Sequence, residues 1–445
     1  MAKGNNKINA APTKSFFITM LIRDLTLRDA IGDLVDNSVD GARSISKDNY
    51  TDFNIKITAT KDEFVIEDNC GGIDVGIARN YAFRFGRPDD MPLTPGSIGQ
   101  FGIGMKRALF KIGYNFNIKS IAKTSRFEMT VDVSKWAKEE DWDFQFDTFD
   151  EDLEEVSLQE RGTKISVTKL REDVQDQFSD NNFIKRLISE IELENLYNIY
   201  KGISIKINGK ALAARNLQLS KSDSIKTAYW EHDFGNGMTV KVFAGVADAN
   251  LDHGGWYIFC NDRLIVGPEQ TELTGWTGGR SSDGGPKYHG QFSRFRGYVF
   301  FEADDSSLLP WNTTKNYMDV DSPTFLTVRQ KMVQMMKPVI SFLNKMKEER
   351  ENDNPEEERH LEKMMNESKT VSLLDIEQDM ENSTATVFQF PTNLVPRKQK
   401  PDENKISYFK PKFQVEKVKK RLNATTLKEV GERTFEYFYE MEVGE

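Results

Sequence analysis

Ala30 to Arg43 reads AIGDLVDNSVDGAR, and the phase of this stretch decides how the chain around it folds. On a helix, Asp33, Asp36, Asn37 and Asp40 fall at i, i+3, i+4 and i+7, a single stripe. Leu27, Ile31, Leu34 and Val35 make the opposite, apolar stripe that packs on a core. A solvated helix face mixes lysines with its acids, whereas this one carries three carboxylates and an amide. Like charges at these spacings repel by a few tenths of a kcal/mol per pair. A bound cation turns that repulsion into attraction. For this stretch alone, a plain amphipathic surface helix is the alternative.

Working outward, residues 54–60 (NIKITAT) and 63–67 (EFVIE) alternate or run apolar around Lys61-Asp62 and predict a hairpin. The second strand runs straight into Asp68-Asn69-Cys70-Gly71-Gly72-Ile73. Further on, Gly96-Ser-Ile-Gly-Gln-Phe-Gly-Ile-Gly-Met-Lys106 opens a helix that ends near Gly113.

The segments DLVDNSVDGA, EDNCGGI and GQFGIG, in this order and spacing, resemble the three motifs of the GHKL (Bergerat-fold) ATPases. That superfamily includes MutL mismatch-repair proteins, heat-shock chaperones, type II topoisomerases and histidine kinases. The resemblance implies an α/β (α+β sandwich) fold that binds ATP with Mg2+. Asn37 would then supply its side-chain oxygen to a magnesium that also holds the phosphates. Asp33, one turn earlier, would deprotonate the attacking water. Asp68 would accept a hydrogen bond from the adenine amino group, where guanine presents a second acceptor. Gly99, Gly102 and Gly104 would let backbone N–H groups approach phosphate oxygens, with Lys106 adding a cation beside the helix end. Asp40, Gly72 and Gln100 complete the implied nucleotide contacts. Gly162-Thr163 resembles the dipeptide that closes the family's site, which adds Thr163.

Two departures bear on turnover. The family usually carries Glu where this chain has Asp33, whose carboxylate sits one bond, about 1.5 Å, nearer the backbone. Cys70 stands where the second motif has its first glycine, so it needs a backbone angle open to a non-glycine residue, or a shifted loop. Hydrolysis is therefore expected to be slow. Other chemistry is excluded: His232, His253, His289 and His360 lack metal-ligand spacing, and no P-loop motif occurs.

At 445 residues the chain should hold two or three domains. Its 29% charged residues and net charge of −10 point to a polar, water-exposed protein. Cys70 and Cys260 give no disulfide framework and fit a reducing cytoplasm. The apolar run at 16–22 is too short to cross a membrane, and no cleavage signal surrounds it. Expected boundaries are an N-terminal arm at 1–15, the ATPase domain at 16–170 and a ribosomal protein S5-like transducer domain at 171–345. A charged helix and linker should follow at 346–401, then a basic, aromatic helical tail at 402–445. Within the first domain, residues 84–94 sit where the family keeps its ATP lid.

The stretch Gly255-Trp-Tyr-Ile-Phe-Cys-Asn-Asp-Arg-Leu-Ile265 resembles the transducer domain of MutL and of the microrchidia (MORC) ATPases. In those relatives a loop lysine reaches back to sense the γ-phosphate, and Lys315, in Leu309-Pro-Trp-Asn-Thr-Thr-Lys-Asn316, is the candidate. An ordinary turn lysine is the alternative. In the tail, residues 397–421 hold ten Lys or Arg against three acids, interleaved with Tyr408, Phe409 and Phe413. This is a pattern for nucleic acid or for a docked partner. The resemblance implies a clamp that dimerises on ATP, acts on DNA and works beside a nuclease or in phage defence. A chaperone-like clamp on a protein is the alternative. A histidine kinase is set aside because no histidine precedes His232.

Overall fold

The computed structural model describes residues 12–86, 95–99, 102–213, 217–279, 284–312, 314–351, 359–380, 385–391, 406 and 408–444. Two helices lead in, α1 (Lys14–Arg23) and α2 (Leu27–Ile45). Thr26 caps α2 by accepting the Asp29 amide, while its own hydroxyl donates to the Asp29 carboxylate at 2.7 Å. This is a reciprocal capping arrangement. The apolar stripe of α2 is buried as its spacing predicts. Asp33 and Asp36 on the opposite face are buried as well, leaving Asn37 as the exposed member of that stripe.

Eight strands form the first sheet: β1 (Asn54–Ala59), β2 (Phe64–Asp68), β3 (Gly113–Ile121), β4 (Arg126–Asp132), β5 (Thr148–Asp150), β6 (Gly162–Leu170), β7 (Ser204–Ile207) and β8 (Lys210–Ala211). Their order is β5-β4-β3-β6-β2-β1-β7-β8. The hairpin β1–β2 forms as its alternation predicts, with Ile57 opposite Ile66 and both buried. Pairing of β2 with β6 sets Asp68 opposite Thr163, so register alone brings two expected site residues together. Helix Gly104–Ile112 connects into β3 and packs on α2.

Strand β7 pairs in parallel with β1, so residues 204–211 extend the first sheet although they follow the boundary expected at 170. A parallel partner so distant in sequence leaves no local signal.

The second sheet is built from β10 (Ala228–Asp233), β11 (Met238–Val246), β12 (Gly255–Cys260), β13 (Arg263–Glu269), β14 (Phe295–Ala303) and β16 (Ala385–Thr386). Their order is β13-β12-β14-β11-β10-β16. Strand β9 (Gln218–Lys221) pairs with β15 (Lys369–Ser372) in a separate two-stranded sheet. The 29-residue helix Pro323–Glu351 runs through Pro338 and lies along β11 and β14. Its methionines 332, 335 and 336 are buried and belong to the core. Tyr197, Phe243, Phe259, Tyr298 and Phe300 form a further cluster closed by Leu373 and Ile376. Among the described residues no helix is long and apolar enough to cross a membrane.

The chain divides into two compact units, Met1–Leu394 and Val395–Glu445. The second is a pair of helices, Lys412–Leu422 and Leu427–Glu442, turned by Asn423 at φ 53°. Val430 is buried there, whereas Phe435, Tyr437, Phe438 and Tyr439 are exposed. The architecture is thus mixed α/β: the first sheet with its helices, a further α/β part and a helical tail.

Candidate functional site

The cavity at the end of β2 encloses about 70 Å3. It is lined by Leu34, Asn37, Ser38, Gly41, Ile66, Asp68, Cys70, Gly72, Ile73, Met105, Thr163 and Ile165. One side is α2 and the other is β2 with β6, so the first two sequence segments meet here, and Met105, just after the glycine-rich segment, joins them.

Asp68 is held in this cavity by three donors. The Ser38 hydroxyl donates to Oδ2 at 2.7 Å, and the amides of Cys70 and Thr163 donate to Oδ1 at 2.9 and 3.3 Å. Burial pushes its carboxyl above the ordinary range, and these three donors pull it back. Oδ2 keeps a lone pair for one further donor. The Cys70 position is accommodated because the left-handed angles fall on its neighbours, Gly71 at φ 98° and Gly72 at φ 72°. A Cβ on Gly72 would stand 2.0 Å from the Ile121 carbonyl oxygen, so only glycine fits there.

Asp40 does not face the cavity as a free acid. Its carboxylate accepts the amides of Ile98 (2.8 and 2.9 Å) and Gly99 (3.0 Å), which fixes the start of the glycine-rich loop on α2. Burial raises it to about 6, with Arg43 and those amides opposing. Gly102 takes φ 61°, and Gly104 opens the following helix. Gln100 lies outside the described residues, as do 1–11 of the expected arm, 87–94 of the expected lid and 392–401 of the expected linker.

Lys106 is directed away from the cavity. Its ammonium donates to the carbonyls of Ala82 (2.8 Å) and Gly102 and sits 6.0 Å from the Phe85 ring centroid. With carbonyls as its acceptors, burial lowers its pKa to about 7. The neighbouring Arg107 is the cation that reaches the acid stripe, since one position turns the helix by about 100°.

That stripe is neutralised by three cations of the protein itself. Arg107 pairs with Asp33 at 2.7 Å. Lys315 reaches both Asp33 (3.2 Å) and Asp36 (2.8 Å), and Arg263 pairs with Asp36 and with Glu194 (3.0 Å). Burial alone would raise Asp36, yet Arg263 and Lys315 hold it below the usual carboxylate range. Burial likewise opposes charge on Lys315, and the two aspartates outweigh it. Lys315 is aimed inward from a left-handed backbone (φ 57°) in a turn closed by Asn312, whose Oδ1 accepts the amides of Asn316 and Tyr317.

The acid stripe of α2 predicts a bound cation. Among the described residues no cluster of His, Cys, Asp and Glu is arranged to hold a metal. With Asp33 and Asp36 committed to Arg and Lys, Asn37 is the stripe's remaining oxygen donor at the cavity. One amide oxygen suits Mg2+, which takes few protein ligands and completes its shell with phosphate and water. Ser38, Arg107 and Arg263 were not singled out from sequence. Ser38 lies within the first segment, Arg263 within the Gly255–Ile265 stretch, and Arg107 beside Lys106, which is the signal each carried.

Residues 25–163 match the family model described as histidine kinase-, DNA gyrase B-, and HSP90-like ATPase. The matched span runs from the start of α2 through the β2 strand end and the glycine-rich loop to Thr163. It supports the GHKL superfamily for this part of the chain: a GHKL-type ATPase domain, of the class that binds and hydrolyses ATP. No curated protein matches the chain.

Proposed function

We propose that this protein is an ATP-driven molecular clamp of the MORC and MutL kind. The observation that carries this reading is the burial of Lys315, from the loop after β14, between two carboxylates of α2 within one turn before Asn37. The same junction is tied a second time. Arg43 of α2 bonds to Gly96, Asn261 and Asp262, and the amide of Gly96 donates to Asp304. Any change at the glycine-rich loop is thereby passed to the second sheet.

In this account Asp68 selects adenine, Asn37 holds Mg2+ and Thr163 closes the site. Asp40 sets the phosphate-binding loop. The metal supplies charge neutralisation at the phosphates. Water attacks the γ-phosphorus, the bond to the ADP oxygen breaks, and Asp33 accepts the proton. Lys315 exchanges its aspartates for the γ-phosphate, which ties occupancy to the second sheet. Two subunits close together on ATP and hold DNA, with a nuclease or defence partner acting nearby in the cytoplasm.

Net charge of −10 places any DNA contact locally rather than over the whole surface. The exposed aromatics of Leu427–Glu442 favour a second reading, in which the clamp closes on a protein. DNA binding measured with and without a non-hydrolysable ATP analogue, at two salt concentrations, separates them. ATP-linked, salt-sensitive binding supports the DNA clamp, and its absence leaves the protein client.

A further inference from the structure

Arg107 meets Asp33 in an unusual way. Its Nε and Nη2 lie 2.9 and 2.7 Å from the same oxygen, Oδ2, instead of bridging both carboxylate oxygens. Among the described residues, Oδ1 receives the Lys315 ammonium alone, at 3.2 Å. A carboxylate oxygen offers two lone pairs. Arg107 therefore saturates Oδ2 and leaves Oδ1 as the oxygen with a vacancy.

Local structure enforces this arrangement. Arg107 sits in the first turn of helix Gly104–Ile112, its amide bonded to the Ile103 carbonyl at 3.0 Å. A Cβ on Gly104 would come within 3.3 Å of the Asp33 carboxyl carbon, so glycine lets the helix end press against the acid. The pair is also shielded, with side-chain exposures of 16% for Arg107 and 7% for Asp33. An ion pair this enclosed is held in one geometry, unlike a surface pair.

We propose that Arg107 is a positioning residue for ATP hydrolysis: it pins one oxygen of Asp33 and so presents Oδ1 to the attacking water. This inference rests on the ATPase reading above. It also answers the short side chain of Asp33, because a carboxylate with fewer rotatable bonds than glutamate is fixed by a single guanidinium. During the reaction the water proton passes to Oδ1 as the oxygen–phosphorus bond forms and the bond to ADP breaks. Arg107 stays charged and touches neither water nor nucleotide.

The test is single-turnover hydrolysis of radiolabelled ATP, together with ATP affinity by calorimetry. The variants are Arg107→Gln, Arg107→Lys, Asp33→Asn and the double variant Asp33→Asn/Arg107→Gln. Arg107→Gln should slow hydrolysis by about tenfold to a hundredfold, part of the ~10²–10⁴ that a placed base provides. ATP affinity should stay within about twofold. Arg107→Lys should recover part of the rate, since one ammonium keeps the charge but loses the paired N–H bonds. In the Asp33→Asn background the second substitution should cost nothing further, because both act through one group.

An ATP affinity lowered about tenfold or more would overturn the proposal by making Arg107 a nucleotide contact. So would a rate loss that multiplies with Asp33→Asn, or an unchanged rate. Should Arg107→Gln fail to fold, a reduced rate in Arg107→Lys with unchanged melting still supports the proposal, and a full rate there overturns it. Failure of the ATPase reading looks different: wild-type protein would not turn over ATP, or Asp33→Asn would hydrolyse at the wild-type rate.

Discussion

The ammonium nitrogen of Lys315 lies 2.8 Å from a carboxylate oxygen of Asp36, joining a loop after the second sheet to a helix 279 residues earlier. Both groups are buried, and Asp36 is shared with Arg263. Removing one partner of a buried pair strands the other charge, at a cost of about 3–5 kcal/mol. Lys315→Met leaves each aspartate one remaining cation, so its cost should fall near the lower end, about 3 kcal/mol. Asp36→Leu leaves Lys315 on Asp33 and Arg263 on Glu194, so it should cost a similar amount, about 3 kcal/mol. Urea unfolding of the two variants checks this, and an undiminished stability in either would contradict it.

Lys106 gives a pH signature. Its pKa is lowered to about 7 by burial, against about 10.4 for an unfolded lysine. Between those values the unfolded chain binds more protons than the folded one. Stability from this site therefore rises with pH across that window. Wild-type protein should gain in urea midpoint between about pH 7 and about pH 9.5 relative to Lys106→Met. Identical pH dependence in the two proteins would show that the ammonium is not buried among carbonyls.

Asp68 accepts from Ser38, Cys70 and Thr163 at once. Asp68→Asn puts an NH2 group where one of these donors now points, costing about 1–3 kcal/mol at the site. ATP affinity should fall by about tenfold or more. The preference for ATP over GTP should shrink with it. Fluorescent-nucleotide competition reads both, and an unchanged ratio would remove Asp68 from base selection.

Much of the first sheet was legible because its signals are local. The α2 stripe, the β1–β2 alternation and the glycine spacing each depend on neighbours within a few residues. The neutralised acid stripe was not legible. Arg107, Arg263 and Lys315 meet Asp33 and Asp36 only through tertiary approach, and composition does not reveal which cations will arrive. Lys106 and Arg107 illustrate the limit: the sequence places a cation at the helix start, but helix phase decides which of two adjacent residues faces the acid. Residues 204–211 joined the first sheet through a parallel partner. Strands β9, β15 and β16 span four residues or fewer, and their pairing decides them more than periodicity does.

The central claim is that the α2 face, the β2 strand end and the glycine-rich loop surround one magnesium-bound adenine nucleotide. Isothermal titration calorimetry of the full chain with Mg-ATP, beside Asn37→Ala and Asp68→Ala, tests it most directly. The account predicts saturable binding with one site per chain, weakened by removing magnesium and lost in both variants. No heat at saturating Mg-ATP, or equal binding in all three proteins, would contradict it.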